Sequence, residues 1–381
     1  MEIISTSIPE LKTLASLTGK KSELQAIQFL LLAAEDGELN ATGSDFEVGM
    51  TLKLNAQVLT GGSLVAPPSL ADLLSDGKVI NLASQENTLK IDKDGFKGSL
   101  NCLPAAEYPP IPTVNRLTNA FSISAAGLEH LLGALPFAEK KDLGRGTNGV
   151  YLSWDAGKAR SVAVDGFKAV MVNARIDGNK AGQVLLSASG IHALQKFVAY
   201  HNPDETLRCG MVDEKFAVKS GIGFAWAGTM ADVVKFPADN VVKAITGVAA
   251  PPAVTGTIHI GQLRYAVNQI KTILGARENP NSWFVFGDQE LTISANDTEV
   301  GGGTAVVDLP MDNYAEDIRH AYNLGLVEPM LAAFGAFVDG DTCPIVIAAD
   351  PATGFALRAA SKAGMAACKV WPVAPSVMGG K

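Results

Sequence analysis

Three stretches of this chain repeat one pattern, and that repeat constrains the fold more than any other feature. Around Asp45, Asp165 and Asp297 a β-type segment runs into a short polar turn holding the aspartate, then leaves as another β-type segment. The stretches cover 39–50, 160–170 and 291–300, and their aspartates lie 120 and 132 residues apart, the length of one compact domain. A helical pattern precedes each turn, at 8–17, 125–138 and 260–274, and a second follows, at 67–74, 189–200 and 324–334. One core rarely serves 381 residues. The pattern therefore predicts three similar α+β domains in tandem, 1–117, 118–250 and 251–373, with a flexible tail at 374–381. Proline-rich joints at 103–112 and 249–253 mark the boundaries, and Lys235-Phe-Pro237 echoes Glu107-Tyr-Pro109.

Composition narrows the function classes. Hydrophobic content of 47% with 18% charged residues is that of a globular chain. The start Met1-Glu-Ile-Ile-Ser lacks the basic and apolar regions of a secretory signal, and the longest apolar run, 29–34, is far too short to cross a bilayer. A cytoplasmic location with no membrane partner is expected. Cys102, Cys209, Cys343 and Cys368 are scattered without a Cys-x-x-Cys pair, and the five histidines are dispersed, so neither a metal nor a disulfide scaffold is expected.

The net charge of −8 alone argues against a nucleic-acid partner. Its distribution argues otherwise. The helical windows 8–21, 67–77, 124–141, 187–201, 259–277 and 323–335 hold 9 basic and 6 acidic residues, leaving the rest of the chain at −11. An acidic molecule with one basic face fits these numbers.

No catalytic motif stands out. Gly19-Lys20-Lys21-Ser22 lacks the earlier glycine of a phosphate-binding loop and follows a helix rather than a strand. The three aspartates fall in different domains and read as caps of their own turns rather than an acid/base pair. Neither a Gly-x-Ser-x-Gly elbow nor a zincin motif is present. A non-enzymatic protein without a cofactor is expected.

The ordered series Asp45-Phe-Glu-Val, Leu103-Pro-Ala-Ala-Glu-Tyr-Pro109, Asn148-Gly-Val150, Val162-Ala-Val-Asp-Gly-Phe-Lys168, Phe236-Pro237 and Leu291-Thr-Ile-Ser-Ala-Asn-Asp297 resembles the β sliding clamp of bacterial DNA polymerase III, from about residue 8 to Val373. The resemblance implies three tandem DNA-clamp-type domains per chain, helices inside and sheets outside. Two chains would close head-to-tail as a ring around double-stranded DNA. It implies as partners the polymerase III catalytic subunit, the clamp loader, and other polymerases and repair proteins carrying short clamp-binding peptides. The alternative is a clamp-like peptide-binding scaffold or competitor that does not encircle DNA.

By position, the resemblance implies DNA contacts from Lys20, Lys21, Lys140, Lys141, Arg145, Lys196, Arg264, Lys271 and Arg277. It implies a partner-peptide pocket at Val164, Gly166, Phe167, Lys168, Ala169, Pro237, Val241, Val242, Trp371, Pro372 and Val373. Two departures bear on peptide preference. Phe167-Lys168-Ala169 stands where the family usually has His-Arg-Leu, and the chain continues past Val373, where family members soon end.

Overall fold

The computed structural model describes all residues except 6–9, 21, 75–79, 142, 250–252, 276, 278, 298–300, 351 and 375–381. The first third runs β1 (Glu2–Ser5), α1 (Glu10–Ala15), β2 (Leu30–Glu35), β3 (Glu38–Ser44), β4 (Val48–Leu54), β5 (Ala56–Thr60), β6 (Gly62–Ala66), α2 (Leu70–Leu73), β7 (Ile80–Gln85), β8 (Thr88–Lys93), β9 (Phe96–Asn101) and β10 (Leu103–Pro104). The middle third runs β11 (Thr118–Ser124), α3 (Ala125–Leu132), β12 (Val150–Asp155), β13 (Lys158–Val164), β14 (Lys168–Arg175), β15 (Gly182–Leu186), α4 (Ala188–Val198), β16 (Thr206–Val212), β17 (Lys215–Ser220), β18 (Gly223–Gly228) and α5 (Ala238–Thr246). The last third runs β19 (Ala253–His259), α6 (Ile260–Leu274), β20 (Asn281–Phe286), β21 (Glu290–Asp297), β22 (Gly301–Asp308), β23 (Met311–Asp312), β24 (Ile318–Asn323), α7 (Leu324–Phe334), β25 (Thr342–Ala348), β26 (Phe355–Ala360) and β27 (Met365–Val370).

Each third thus contains two copies of one motif: a strand leads into a helix, and a three-stranded meander follows. The leading strands cross over. β1 pairs with β7 and β6 with β2; β11 pairs with β16 and β15 with β12; β19 pairs with β25 and β24 with β20. The exchange ties the two halves of each third together. The strands alternate in burial as a half-covered sheet requires, for example Leu30, Leu32 and Ala34 inward on β2 and Val150, Leu152 and Trp154 inward on β12.

Packing divides the chain into two units that cut across the expected thirds: Met1–Ala125 with Leu186–Thr229, and Ala126–Leu185 with Met230–Lys381. Strand pairing explains the cut. β4 pairs with β18, producing the nine-stranded order β10-β6-β2-β3-β4-β18-β17-β16-β11 in the first unit. β14 pairs with β27, producing β15-β12-β13-β14-β27-β26-β25-β19-β23 in the second. The first pairing is close because Gly49 lies opposite Trp226, whose indole occupies the space a β-carbon at Gly49 would need.

Several local expectations need correction. The helix read at 125–138 stops at Leu132; Pro136 lies in a 3-10 turn, Leu135–Phe137, where its missing N–H ends the α-helical ladder. Before β2 begins at Leu30, the chain makes a 3-10 turn over Gln25–Gln28. The helix α5 was not expected, because Val241, Val242 and Thr246 weaken its helical pattern. It is held by burying Val241 and Ile245. In contrast, α7 tolerates Pro329, and Asn323 caps its start by accepting the Gly325 N–H at 2.8 Å. The first two residues of the helical pattern expected at 8–17 and the tail beyond Ala374 lie outside the described residues.

The second unit carries an aromatic core of Phe284, Phe286, Tyr322 and Phe355, with Phe284 and Tyr322 ring centroids 4.9 Å apart. His320 lies beside it, 1% exposed, with Nδ1 2.9 Å from the Tyr322 hydroxyl. Burial pushes its pKa down to about 4, with Asp350 pulling the other way. Between the unfolded value near 6.5 and about 4, the unfolded chain binds the extra proton, so stability falls as pH drops through that window. The loss is at most about 3 kcal/mol. Urea melts at pH 7 and pH 4.5 should therefore differ less for His320→Asn than for the parent chain. An equal difference would remove His320 from the acid response.

Candidate functional site: an open groove at a strand junction

The turn joining β13 to β14 builds the first wall. Asp165 Oδ1 accepts the N–H groups of Phe167 (3.0 Å) and Lys168 (2.9 Å), while Gly166 takes φ +89°, a conformation glycine adopts without steric cost. The turn leaves the Phe167 side chain 55% exposed. Its carbonyl accepts the Trp371 N–H at 2.9 Å, extending the β14–β27 ladder by one step, and the Val373 N–H then bonds the Ala321 carbonyl at 2.8 Å. Phe167, Pro372, Val373 and Ala374 thereby face Asn279, Asn281, Asn323, Gly325 and Leu326 across an open groove of about 880 Å³.

The remaining pocket positions form the bed beneath this wall. Val164, Ala169 and Val241 are buried with Val162, Leu185, Phe236 and Ile245, and half-buried Val242 and Trp371 pack against them. Phe236 stacks on Tyr151 with centroids 5.2 Å apart, and Pro237 stands at the start of α5. Lys168 is buried and ion-paired with Asp165. Lys369 Nζ donates to the Ala244 carbonyl at 3.1 Å and lies 4.8 Å from the Trp371 ring centroid. Burial lowers its pKa, and Asp350 opposes that shift.

The sequence reading missed the asparagines. Asn323 Nδ2 donates to Asn279 Oδ1 at 3.2 Å, and Asn281 Oδ1 is buried with no hydrogen-bond partner among the described residues. That oxygen can accept an N–H from an extended chain lying in the groove. The Asn279-Pro-Asn281 run and the Asn323 cap were its only sequence signals, and both read first as turn chemistry.

The proposed DNA contacts fall into two groups. Lys196 on α4 and Arg264 and Lys271 on α6 stand on helices. Lys20, Lys140, Lys141, Arg145 and Arg277 stand outside the helices, and Lys21 lies outside the described residues. Lys196 Nζ donates to Ser16 Oγ at 2.7 Å, while Arg264 and Lys271 both approach Glu328, at 3.5 and 3.6 Å. Arg145 lies beside the pocket turn, with Nη1 3.7 Å from where a β-carbon of Gly166 would sit. Within the six helices themselves, Lys12, Lys196, Arg264 and Lys271 only balance Glu10, Asp72, Glu129 and Glu328. The basic excess in the wider windows therefore rests on the residues flanking the helices.

Asp45 repeats the capping role of Asp165, accepting the Val48 N–H at 2.8 Å; the Asp297 side chain is outside the described residues. Among the described residues no cluster of three or more His, Cys, Asp or Glu side chains could hold a metal, and no helix is long and apolar enough to cross a membrane.

No protein-family model matches the chain. Curated proteins do. The chain is 27% identical to the β sliding clamp of Pseudomonas aeruginosa over 196 residues, 49% of this chain and 53% of that protein. It is 22% identical to the β sliding clamp of Vibrio cholerae over 333 residues, 85% of this chain and 87% of that protein. Solved structures agree in fold along almost the full length. The DNA polymerase III β subunit of Thermotoga maritima superposes with a TM-score of 0.79 at 18% identity, covering 98% of this chain and 100% of that one. The polymerase sliding clamp of Bacillus subtilis superposes at 0.82 and 14% identity, covering 98% and 99%. The chain is thus similar in sequence to β sliding clamps and shares the fold of DNA polymerase III β subunits along almost its full length.

Proposed function

We propose that the chain is a DNA sliding clamp, a ring that encircles duplex DNA and tethers a replicative polymerase and repair proteins through the Phe167 groove. The observation that carries this reading is an unmatched pair of sheet edges. Both internal junctions join the last strand of a first meander to the last strand of a second meander: β4 to β18, and β14 to β27. The same rule leaves β22 and β9 unmatched, and each lies at the end of its sheet. A second copy offers the complementary edges, so two head-to-tail junctions close a ring of two chains. Phe96 on β9 and Val306 on β22 are 43% and 56% exposed, and Ile273 on α6 lies against Gly303 of β22, providing apolar surface at both edges.

Within this reading the three thirds, 1–117, 118–250 and 251–373, are the domains, as the threefold repetition of the motif supports. Such a ring performs no catalysis. It holds DNA by topology, while exposed cations make weak, non-specific phosphate contacts that permit sliding. Lys20, Lys140 and Lys141 are exposed. Together they supply part of this contact, with the other cations named above contributing as their ion pairs allow. A cytoplasmic location follows from the role in replication.

Reversing Lys20, Lys140 and Lys141 to glutamate tests the DNA-facing assignment against a peptide-only scaffold. Non-specific duplex binding at low salt should weaken by at least about tenfold. Peptide binding and oligomer mass should stay unchanged. Undiminished DNA binding would contradict the assignment.

A further inference from the structure

We propose that the turn carrying Phe46, the segment 108–112 and Trp226 form a second docking site, which takes the C-terminal carboxylate end of a short apolar peptide from a partner protein. The site lies wholly within the first unit and does not depend on DNA encirclement.

The internal repeat identifies the site. Asp45 caps Val48 as Asp165 caps Lys168, at 2.8 and 2.9 Å. The Gly228 N–H bonds the Glu47 carbonyl at 2.6 Å, as the Trp371 N–H bonds that of Phe167 at 2.9 Å. Tyr108-Pro109 stands where Phe236-Pro237 stands in the later repeat. By this correspondence Phe46 occupies the place of Gly166, and both have positive φ, +79° and +89°. Glycine adopts that geometry without strain, whereas a phenylalanine there is a true outlier. The Phe46 ring is 46% exposed, so core burial does not explain its retention.

The chemistry of the cleft defines the occupant. Trp226 Nε1 and the Tyr108 hydroxyl are buried with no hydrogen-bond partner among the described residues, on side chains 1% and 8% exposed. Both line one cleft with Phe46, Pro109, Ile111 and Lys215. The cleft is partly open, and its volume of about 20 Å³ has room at the base for one oxygen-sized group. Lys215 forms no salt bridge among the described residues, and the Ser44 hydroxyl that also lines the cleft is engaged with the Val48 carbonyl and the Phe46 N–H, so an ammonium and two donors there have no acceptor bonded to them. A terminal carboxylate supplies one oxygen to the buried donors and negative charge to Lys215. The prolines and the Phe46 face then receive the preceding apolar side chain. A resident water alone would satisfy the donors but would leave the strained, exposed Phe46 without a purpose.

The full chain labelled with 5-fluorotryptophan carries four reporters, and Trp226→Phe assigns the one in the cleft. The probe is the pentapeptide Ala-Pro-Leu-Leu-Phe as the free acid, compared with its C-terminal amide. The free acid should shift the Trp226 resonance saturably, and the amide should bind about tenfold more weakly. Phe46→Gly should cost a similar factor while leaving the urea midpoint unchanged or higher, because it relieves the strained φ. No response of Trp226 at about 5 mM peptide, or equal binding by Phe46→Gly and parent, would overturn the proposal. A response of Trp371 alone would also overturn it, while leaving the Phe167 groove intact.

Discussion

Phe96→Asp combined with Val306→Asp should leave a folded monomer of 39.8 kDa, where the proposed ring requires a parent dimer of twice that mass. Both side chains are exposed within one chain, so neither change opens a core. Each stands on an edge strand that a single chain leaves unmatched. In the closed ring these positions become buried, and a carboxylate there loses hydration without gaining a partner, at a cost of several kcal/mol per group. The apolar contact is lost as well, about 1.5–3 kcal/mol for a fully buried phenylalanine. Two junctions carry the damage, so association should weaken by at least about a thousandfold. Sedimentation at micromolar concentration reads the outcome directly. A variant that remains dimeric would place the contact elsewhere.

If the Phe167 groove takes a clamp-binding peptide as proposed, Phe167→Ala should abolish most of that affinity and leave stability unchanged. The ring projects into the groove from a turn fixed by Asp165, and at 55% exposure it contributes little to the core. Removing such an exposed aromatic anchor costs about 2 kcal/mol of binding, roughly a thirtyfold loss. Trp371→Ala is less clean, because that ring packs on the Val164 and Val241 bed and under Lys369. It should lower peptide affinity and the urea midpoint together. Fluorescence anisotropy with a labelled peptide separates the two variants. Unchanged affinity for Phe167→Ala would remove the groove assignment.

The sequence was legible wherever local chemistry decided the structure. The Asp45 and Asp165 turns need only a short side chain and its own backbone, and α6 spans 260–274 as its apolar spacing predicts. It was less legible where distant strands decide. The pairings of β4 with β18 and β14 with β27 join segments about 175 and 200 residues apart. They move the packing units away from the sequence thirds, and no local pattern announces them. The groove was half legible for the same reason. Phe167 and the 371–373 segment lie together through a strand junction, and the resemblance named them. The asparagines facing them behave as turn and cap residues, so their sequence signal points to local structure rather than to a groove.

Encirclement is tested most directly by loading the chain onto nicked circular DNA with a clamp loader, raising the salt to about 0.5 M, at which surface ion pairs are largely screened, and then cutting the circle once. A closed ring remains on the intact circle through the salt step and leaves within minutes of linearisation. Release by salt from the uncut circle, or equal retention on circle and line, would contradict a topological hold.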